Sequence, residues 1–294
     1  MKIVAYERDG APGVGVLNED GTEVTPFELS AEEAALGVQP LVERDVAGAP
    51  RPATGDAIPL DGLTLRAPMP RPRRNIFCVG KNYYDHAHEF SKSGFDSSAA
   101  AGTIPKAPIV FSKVPESVCA HGDAILMDVA VSETLDYEVE LGVIIGKGGR
   151  GITKENALDH VWGYTVINDA TARDLQGLHS QWLIGKSQDT FCPMGPVAVT
   201  ADQFNLDDAF VKTWINGELR QDSNTKLLIF DVPTIIATLA AGITLIPGDV
   251  IATGTPAGVG IGFKPPVYLK PGDVVRMEIE GIGVLENPVA RHGG

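Results

Sequence analysis

The sequence predicts a strand-rich α+β protein, and three observations carry that prediction. Among 294 residues, 33 glycines and 21 prolines fall as punctuation between short β-type runs. Few segments keep a helical period for long. Asp-Gly pairs stand at 9–10 and 20–21, where they supply the positive φ angles of tight hairpin turns.

The elements follow in order. Lys2 to Tyr6, Gly13 to Leu17 and Glu23 to Phe27 read as a meander, and Ser30 as the N-cap of a helix opening Ala31-Glu32-Glu33. Residues 46–74, rich in Pro, Ala, Gly and Arg, have few donors and fixed φ angles, which argues against a helix or a central strand. The domain boundary is placed there, giving a small N-terminal α/β domain over 1–72 and a larger domain over 73–294. Asn75 to Gly80 reads as a short buried strand, and Lys81 to Glu89 as a loop entering a short helix. Residues 91–106 are small and polar, the composition of a mobile surface segment that could act as a lid. Asp136 to Ile145 is the pattern of a strand entering a core. Thr153 is expected to cap a helix to about Val161, and Trp162 to Asn168 to be the next strand. The last helix has Pro233 in its first turn and stops at Gly242, and strands with two Pro-Gly-Asp turns follow to Val289.

With 24 Lys+Arg against 38 Asp+Glu, the net charge of −14 argues against a surface built for nucleic acid or an anionic membrane. At 44% hydrophobic and 21% charged residues, the composition is that of a soluble globular protein. No apolar run reaches the roughly 18 residues of a membrane span, and the N-terminus breaks into charge too early for a signal peptide, so a cytoplasmic protein is expected. Cys78, Cys119 and Cys192 are widely spaced and odd in number, hence read as buried thiols rather than disulfides or zinc ligands.

Two constellations can carry chemistry. Glu138 and Glu140 lie two apart in a strand, so both project from one face while Tyr137, Val139 and Leu141 project from the other. A hard divalent cation would relieve their repulsion, with Asp169 at the end of the next strand as a third oxygen ligand, although a solvated outer face fits the same spacing. His86 and Glu89, three apart in a helix, would share a face on which the carboxylate orients the imidazole as a general base; a plain surface helix bearing Asp85, His86, His88 and Glu89 fits equally. Gly146 to Gly151 satisfies the dinucleotide-loop pattern G-x-G-x-x-G, but Ile152 and Thr153 intervene before the helix, so these glycines are expected to make only a loop. The run Gly254 to Gly262 could cradle an anion but lacks the Lys-Ser/Thr ending of a nucleotide loop.

Gly80-Lys-Asn-Tyr-Tyr-Asp-His86 with Glu89, Asp136 to Gly142, Asn168 to Asp174 with Gln176, Gly185 to Pro196, Asn216-Gly217 and Thr253 to Gly260, taken in order, resemble the fumarylacetoacetate hydrolase superfamily over roughly residues 73–290. Residues 1–72 resemble the variable N-terminal domain of its longer bacterial members. The resemblance implies a mixed β-sandwich roll with peripheral helices, a homodimer, and Mg²⁺ or Mn²⁺ on Glu138, Glu140 and Asp169. It implies His86 and Glu89 as a catalytic water-activating dyad, Lys186 as a catalytic lysine at the substrate, Gln176 beside the reacting carbonyl and Thr255 on the substrate carboxylate. The expected activity is hydrolysis of a carbon–carbon bond in a 2,4-dioxo acid such as an acylpyruvate, through a metal-bound enolate. The same 2-oxo acid chelation would serve an oxaloacetate-type decarboxylase, an isomerase or hydratase of unsaturated oxo-diacids, or a ureidoglycolate lyase. From other classes, a non-catalytic oxo-acid binder and a nucleotide-binding oxidoreductase are the alternatives. One departure concerns Pro108 to Lys113, which resembles the next motif but runs into Val118-Cys-Ala-His-Gly122, so no anchoring role is assigned to Lys113.

Overall fold

The computed structural model describes residues 1–91 and 104–293, and the lid expected over 91–106 lies for the most part outside them. The meander forms as its turns require: strands Lys2–Arg8, Ala11–Leu17 and Glu23–Pro26 pair antiparallel around Asp9-Gly10 and Asp20-Gly21. Ser30 caps the helix Ala31–Ala34 in a reciprocal capping box with Glu33. A second helix, Gln39–Val46, completes the N-terminal region. Lys2 and Ile3 pair with Val199 and Ala198, so the meander extends the sheet of the larger region.

That sheet runs from the N-terminal meander through Cys192–Thr200, Val161–Asn168, Val139–Ile145, Val250–Ala252 and Ile76–Gly80 to Ile109–Lys113. A second sheet of five strands, including Phe210–Ile215, Val274–Ile279 and Gly283–Arg291, packs on one face. Alternation along the central strand sorts the layers. Val139, Leu141, Val143 and Ile145 enter the core shared with Val211, Met277, Leu285 and the helix Val232–Ala240. Ile144 enters a second core with Val38, Leu41 and Val42 of the N-terminal region. The result is a strand-rich α+β architecture with few helices.

Two expectations are corrected. The stretch 136–145 is not one strand: Leu135–Asp136 pairs with Thr171–Ala172 and Val139–Ile145 enters the main sheet. The break follows from Asp136, whose buried carboxylate accepts from the amides of Tyr137, Gly260 and Ile261 and from Arg173, partners that no straight ladder could bring together. The helix expected from Thr153 is only the 3₁₀ turn Ala157–His160. The Asn156 side chain accepts the Thr153 amide at 2.9 Å and closes a turn where the helix would have begun. No helix among the described residues is long and apolar enough to cross a membrane.

Candidate active site

The site lies at one edge of the main sheet, where four neighbouring strands end or begin. Register places the acids. Val139 pairs with Asn168, which sets Glu138 opposite Asp169 just beyond the ladder, and the Asp169 amide donates to the Glu138 carbonyl at 2.8 Å. Glu140, two residues on, projects to the same side. Oxygen atoms of Glu138, Glu140 and Asp169 lie within 4.8 Å of one another, and all three side chains are buried. The solvated-face alternative is thereby removed.

The adjoining strands deliver the rest. Val250–Ala252 beside Val139–Ile145 leads into Thr253–Thr255, and the Gly254 amide donates to Glu140 at 2.8 Å, from a backbone with φ +105° that glycine adopts without strain. Ile76–Gly80, parallel to that strand, leads through Lys81 into the helix Tyr84–Ser91, which carries His86 and Glu89. Their side chains meet with His86 Nδ1 3.3 Å from Glu89 Oε2. Asn82 fixes this helix from below, donating to the carbonyls of Phe230 and Thr253 and accepting from the Phe230 amide.

Burying three carboxylates costs several kcal/mol each, in order of magnitude, unless cations or hydrogen bonds compensate. Lys186 Nζ donates to Glu138 at 2.7 Å and to Asp169 at 2.6 Å. Lys113 Nζ donates to Asp169 at 2.6 Å and to the Ala170 carbonyl. Arg173 bridges Asp136 at 2.8 Å and Glu138 at 2.6 Å. Burial alone would raise the Glu138 pKa, but Lys186 and Arg173 outweigh it and hold the carboxyl well below the usual range. Among the described residues Glu140 accepts from the Gly254 amide, and burial, reinforced by Asp169 and Glu138, outweighs that bond and the Lys186 charge and pushes it well above that range. Burial lowers the Lys186 pKa less than Asp169 and Glu138 raise it, so it stays an ammonium.

His86, Lys186, Gln176 and Thr255 line one tight cavity with Glu138 and Glu140, about 10 Å³ in volume, the room needed by the centre of one water-sized sphere. Gln176 accepts from Arg173, and Thr255 accepts from Gln221, whose own carbonyl takes the Val139 amide. All eight residues singled out in the sequence are thus gathered at one place. Arg173, Asp136 and Gln221 were missed, and Lys113, left without a role, sits on Asp169. Arg173 left one legible signal: it stands three residues before Gln176, on the same helical face. Gln221 left none, since it arrives from the second sheet.

The donor set among the described residues fits a hard divalent ion: three convergent carboxylates, with no sulfur or imidazole in the group, and buried like charge that a cation would neutralise. With the acids in that arrangement, the fold and site define a class. The chain belongs to the fumarylacetoacetate hydrolase family, whose C-terminal domain model matches residues 75–290. Among its relatives, the oxaloacetate tautomerase YisK of Bacillus subtilis is 49% identical over 231 residues, 78% of this chain and 74% of that protein. The mitochondrial oxaloacetate tautomerase fahd2 of Xenopus laevis is 37% identical over 98% of this chain and 90% of its own. In structure, a fumarylacetoacetate hydrolase from Exiguobacterium antarcticum superimposes with a TM-score of 0.84 at 44% identity, covering 99% of this chain and 100% of that one. A 5-carboxymethyl-2-hydroxymuconate delta-isomerase from Mycobacterium smegmatis does so with a TM-score of 0.78 at 30% identity and the same coverage.

Proposed function

We propose that this protein is a tautomerase of a short 2-oxo dicarboxylic acid of the oxaloacetate type, moving a proton between C3 and the oxygen on C2. The observation that carries this reading is the placement of His86, braced by Glu89, in the same cavity as Glu138, Glu140 and the Lys186 ammonium, which also holds Asp169. The relatives 37% and 49% identical are both named for oxaloacetate tautomerisation, and a structural neighbour for a double-bond isomerisation, which favours proton transfer over the carbon–carbon hydrolysis first expected.

A divalent ion held by Glu138, Glu140 and Asp169 would supply a Lewis acid for the carboxylate and keto oxygens of the acid. The protein's own groups do the remainder. With Nδ1 committed to Glu89, Nε2 of His86 takes the proton from C3. The C–H electron pair becomes the C2–C3 double bond, and the carbonyl pair moves onto the C2 oxygen. Lys186 donates a hydrogen bond to that oxygen as charge builds, and solvent protonates it as product leaves. Thr255 and Gln176 hold a carboxylate in register with His86. The reverse direction returns a proton from His86 to C3.

The test follows enol-oxaloacetate by its ultraviolet absorbance in the presence of Mg²⁺, alongside total oxaloacetate and carbon dioxide. Faster keto–enol equilibration at constant total oxaloacetate is the expected result. Carbon dioxide released as fast as enol is lost would make the protein a decarboxylase, and turnover confined to acylpyruvates would restore the hydrolase. His86→Ala should lower the rate by about 10²–10⁴-fold while leaving Mg²⁺ binding by calorimetry unchanged.

A further inference from the structure

The cavity that holds His86 and Lys186 has a polar side and an aromatic side, and the aromatic side is assembled from three places in the chain. Trp182 precedes the helix Leu183–Lys186, and the Lys186 amide donates to the Trp182 carbonyl at 3.0 Å, so indole and ammonium stand on one face of a single turn. Phe111 lies in the strand Ile109–Lys113, two residues before Lys113, and projects to the same side as the ammonium on Asp169. The two rings meet edge to face, with centroids 5.1 Å apart and planes at 66°. Lys186 Nζ lies 5.0 Å from the centre of the Phe111 ring while it donates to Glu138 and Asp169, so one ammonium joins the acids to the aromatic side. Gly80 completes the fit. A Cβ there would fall 2.5 Å from Cζ3 of Trp182, so the bare backbone at the end of the strand Ile76–Gly80 is what lets the indole seat. Behind the cavity Trp182 packs with Val259 and Ile261 in a small core of its own, which holds the ring in place.

Among the described residues, Val79, Gly80, Phe111 and Trp182 are the apolar lining of this cavity, and the rest of its lining is charged or polar. The 2-oxo carboxylate end of an acid belongs beside Glu138, Glu140 and Lys186, where charge and hydrogen bonds meet it. An acyl tail needs apolar surface instead, and the apolar side is already filled by two rings packed against each other and against Gly80. We propose that Trp182, backed by Phe111 and seated on Gly80, sets the length of acid that the site accepts: it admits a four-carbon oxo-diacid and turns away 2-oxo acids with a longer acyl tail. The proposal rests on the tautomerase reading and deepens it by naming the group that selects the substrate. In a hydrophobic pocket one methylene too many or too few changes kcat/KM by about 10–200-fold, so a fixed indole at this place is enough for the discrimination. Trp182 takes no part in the proton transfer and acts by filling space.

The test follows keto–enol interconversion of oxaloacetate, acetylpyruvate and hexanoylpyruvate by their enol absorbance, on the Mg²⁺-loaded full chain. Wild type should turn over hexanoylpyruvate with a kcat/KM about a hundredfold below that for acetylpyruvate. Trp182→Ala should narrow that gap about tenfold, whereas a merely structural loss lowers both acids alike and leaves their ratio unchanged. Trp182→Leu, which keeps an apolar side chain against Val259 and Ile261, should narrow it too, so the outcome does not depend on the folding of the alanine variant. Gly80→Ala displaces the indole and should raise the KM for oxaloacetate about tenfold. Made on top of Trp182→Ala, the same substitution should leave KM where it was, because the next ring its methyl meets is Phe111, at 3.7 Å. An unchanged ratio in the Trp182 variants, or a Gly80→Ala effect that persists without the indole, overturns the proposal. So does a wild type that takes the long acid as readily as the short one. A wild type that interconverts none of the three acids instead removes the tautomerase reading itself, which separates the two failures.

Discussion

At the scale of single residues, the site is a matter of charge kept out of water. Each buried acid of the site except Glu140 has a buried cation in contact, and those same cations hold the acids in place. Arg173 holds Glu138 and Gln176 together without being placed as a ligand itself, so Arg173→Met should weaken Mg²⁺ binding about 10–100-fold by calorimetry, as loss of a supporting partner does elsewhere. Lys113→Met leaves the buried Asp169 with one cation fewer. Metal-free protein should lose about 3–5 kcal/mol of stability in denaturant titration, and Mg²⁺ should recover part of it. Spacing offered Glu138 with Glu140 and His86 with Glu89 as pairs, because strand and helix periods fix which side chains share a face, and the family resemblance singled them out from surface alternatives. Asp136 was read as part of a strand and Gln221 not at all, because their roles come from partners far away in the chain.

At the scale of elements, four neighbouring strands that end or begin together place the chemistry, and one buried amide links two of the segments that follow them. Asn82 ties the His86 helix to both Phe230 and Thr253, and Thr253 precedes the loop that carries Gly254 and Thr255. Asn82→Ala strands the buried Thr253 carbonyl and the part-buried carbonyl and amide of Phe230, which should cost about 1–3 kcal/mol, read as a lower Tm. Its kcat should fall with little change in Mg²⁺ affinity, since the acids stand on other strands. The meander, the capped first helix and the final helix followed the sequence closely, because turn residues and caps act locally. The helix expected after Thr153 failed for an equally local reason: Asn156 offered the chain a competing turn.

At the scale of the whole molecule, the two packed sheets bury all three cysteines. Burial pushes Cys192 up to about 12 and raises Cys78 and Cys119 as well. The sign follows directly: the unfolded thiols ionise from about 9 while the folded ones stay protonated, so their contribution is complete below that pH and is lost as pH rises toward 12. Alkaline unfolding should begin above pH 9, and at pH 8 a thiol reagent should label all three only after denaturant is added. A bound ion adds to this stability by mass action, so Mg²⁺ at 100 times its Kd should contribute about 2.7 kcal/mol and a chelator should lower Tm accordingly. What the sequence by itself determined was local: the strand-rich composition, the turns and caps, and which acids, histidine and lysine could share a face or a motif. Only the tertiary structure decided that Glu138 faces Asp169 across a strand register, that Arg173, Lys113 and Gln221 close around them, and that Trp182 and Phe111 wall the same cavity. Those facts depend on chain segments dozens to more than a hundred residues apart, and such separations become contacts only when sheet pairing and burial bring the segments together.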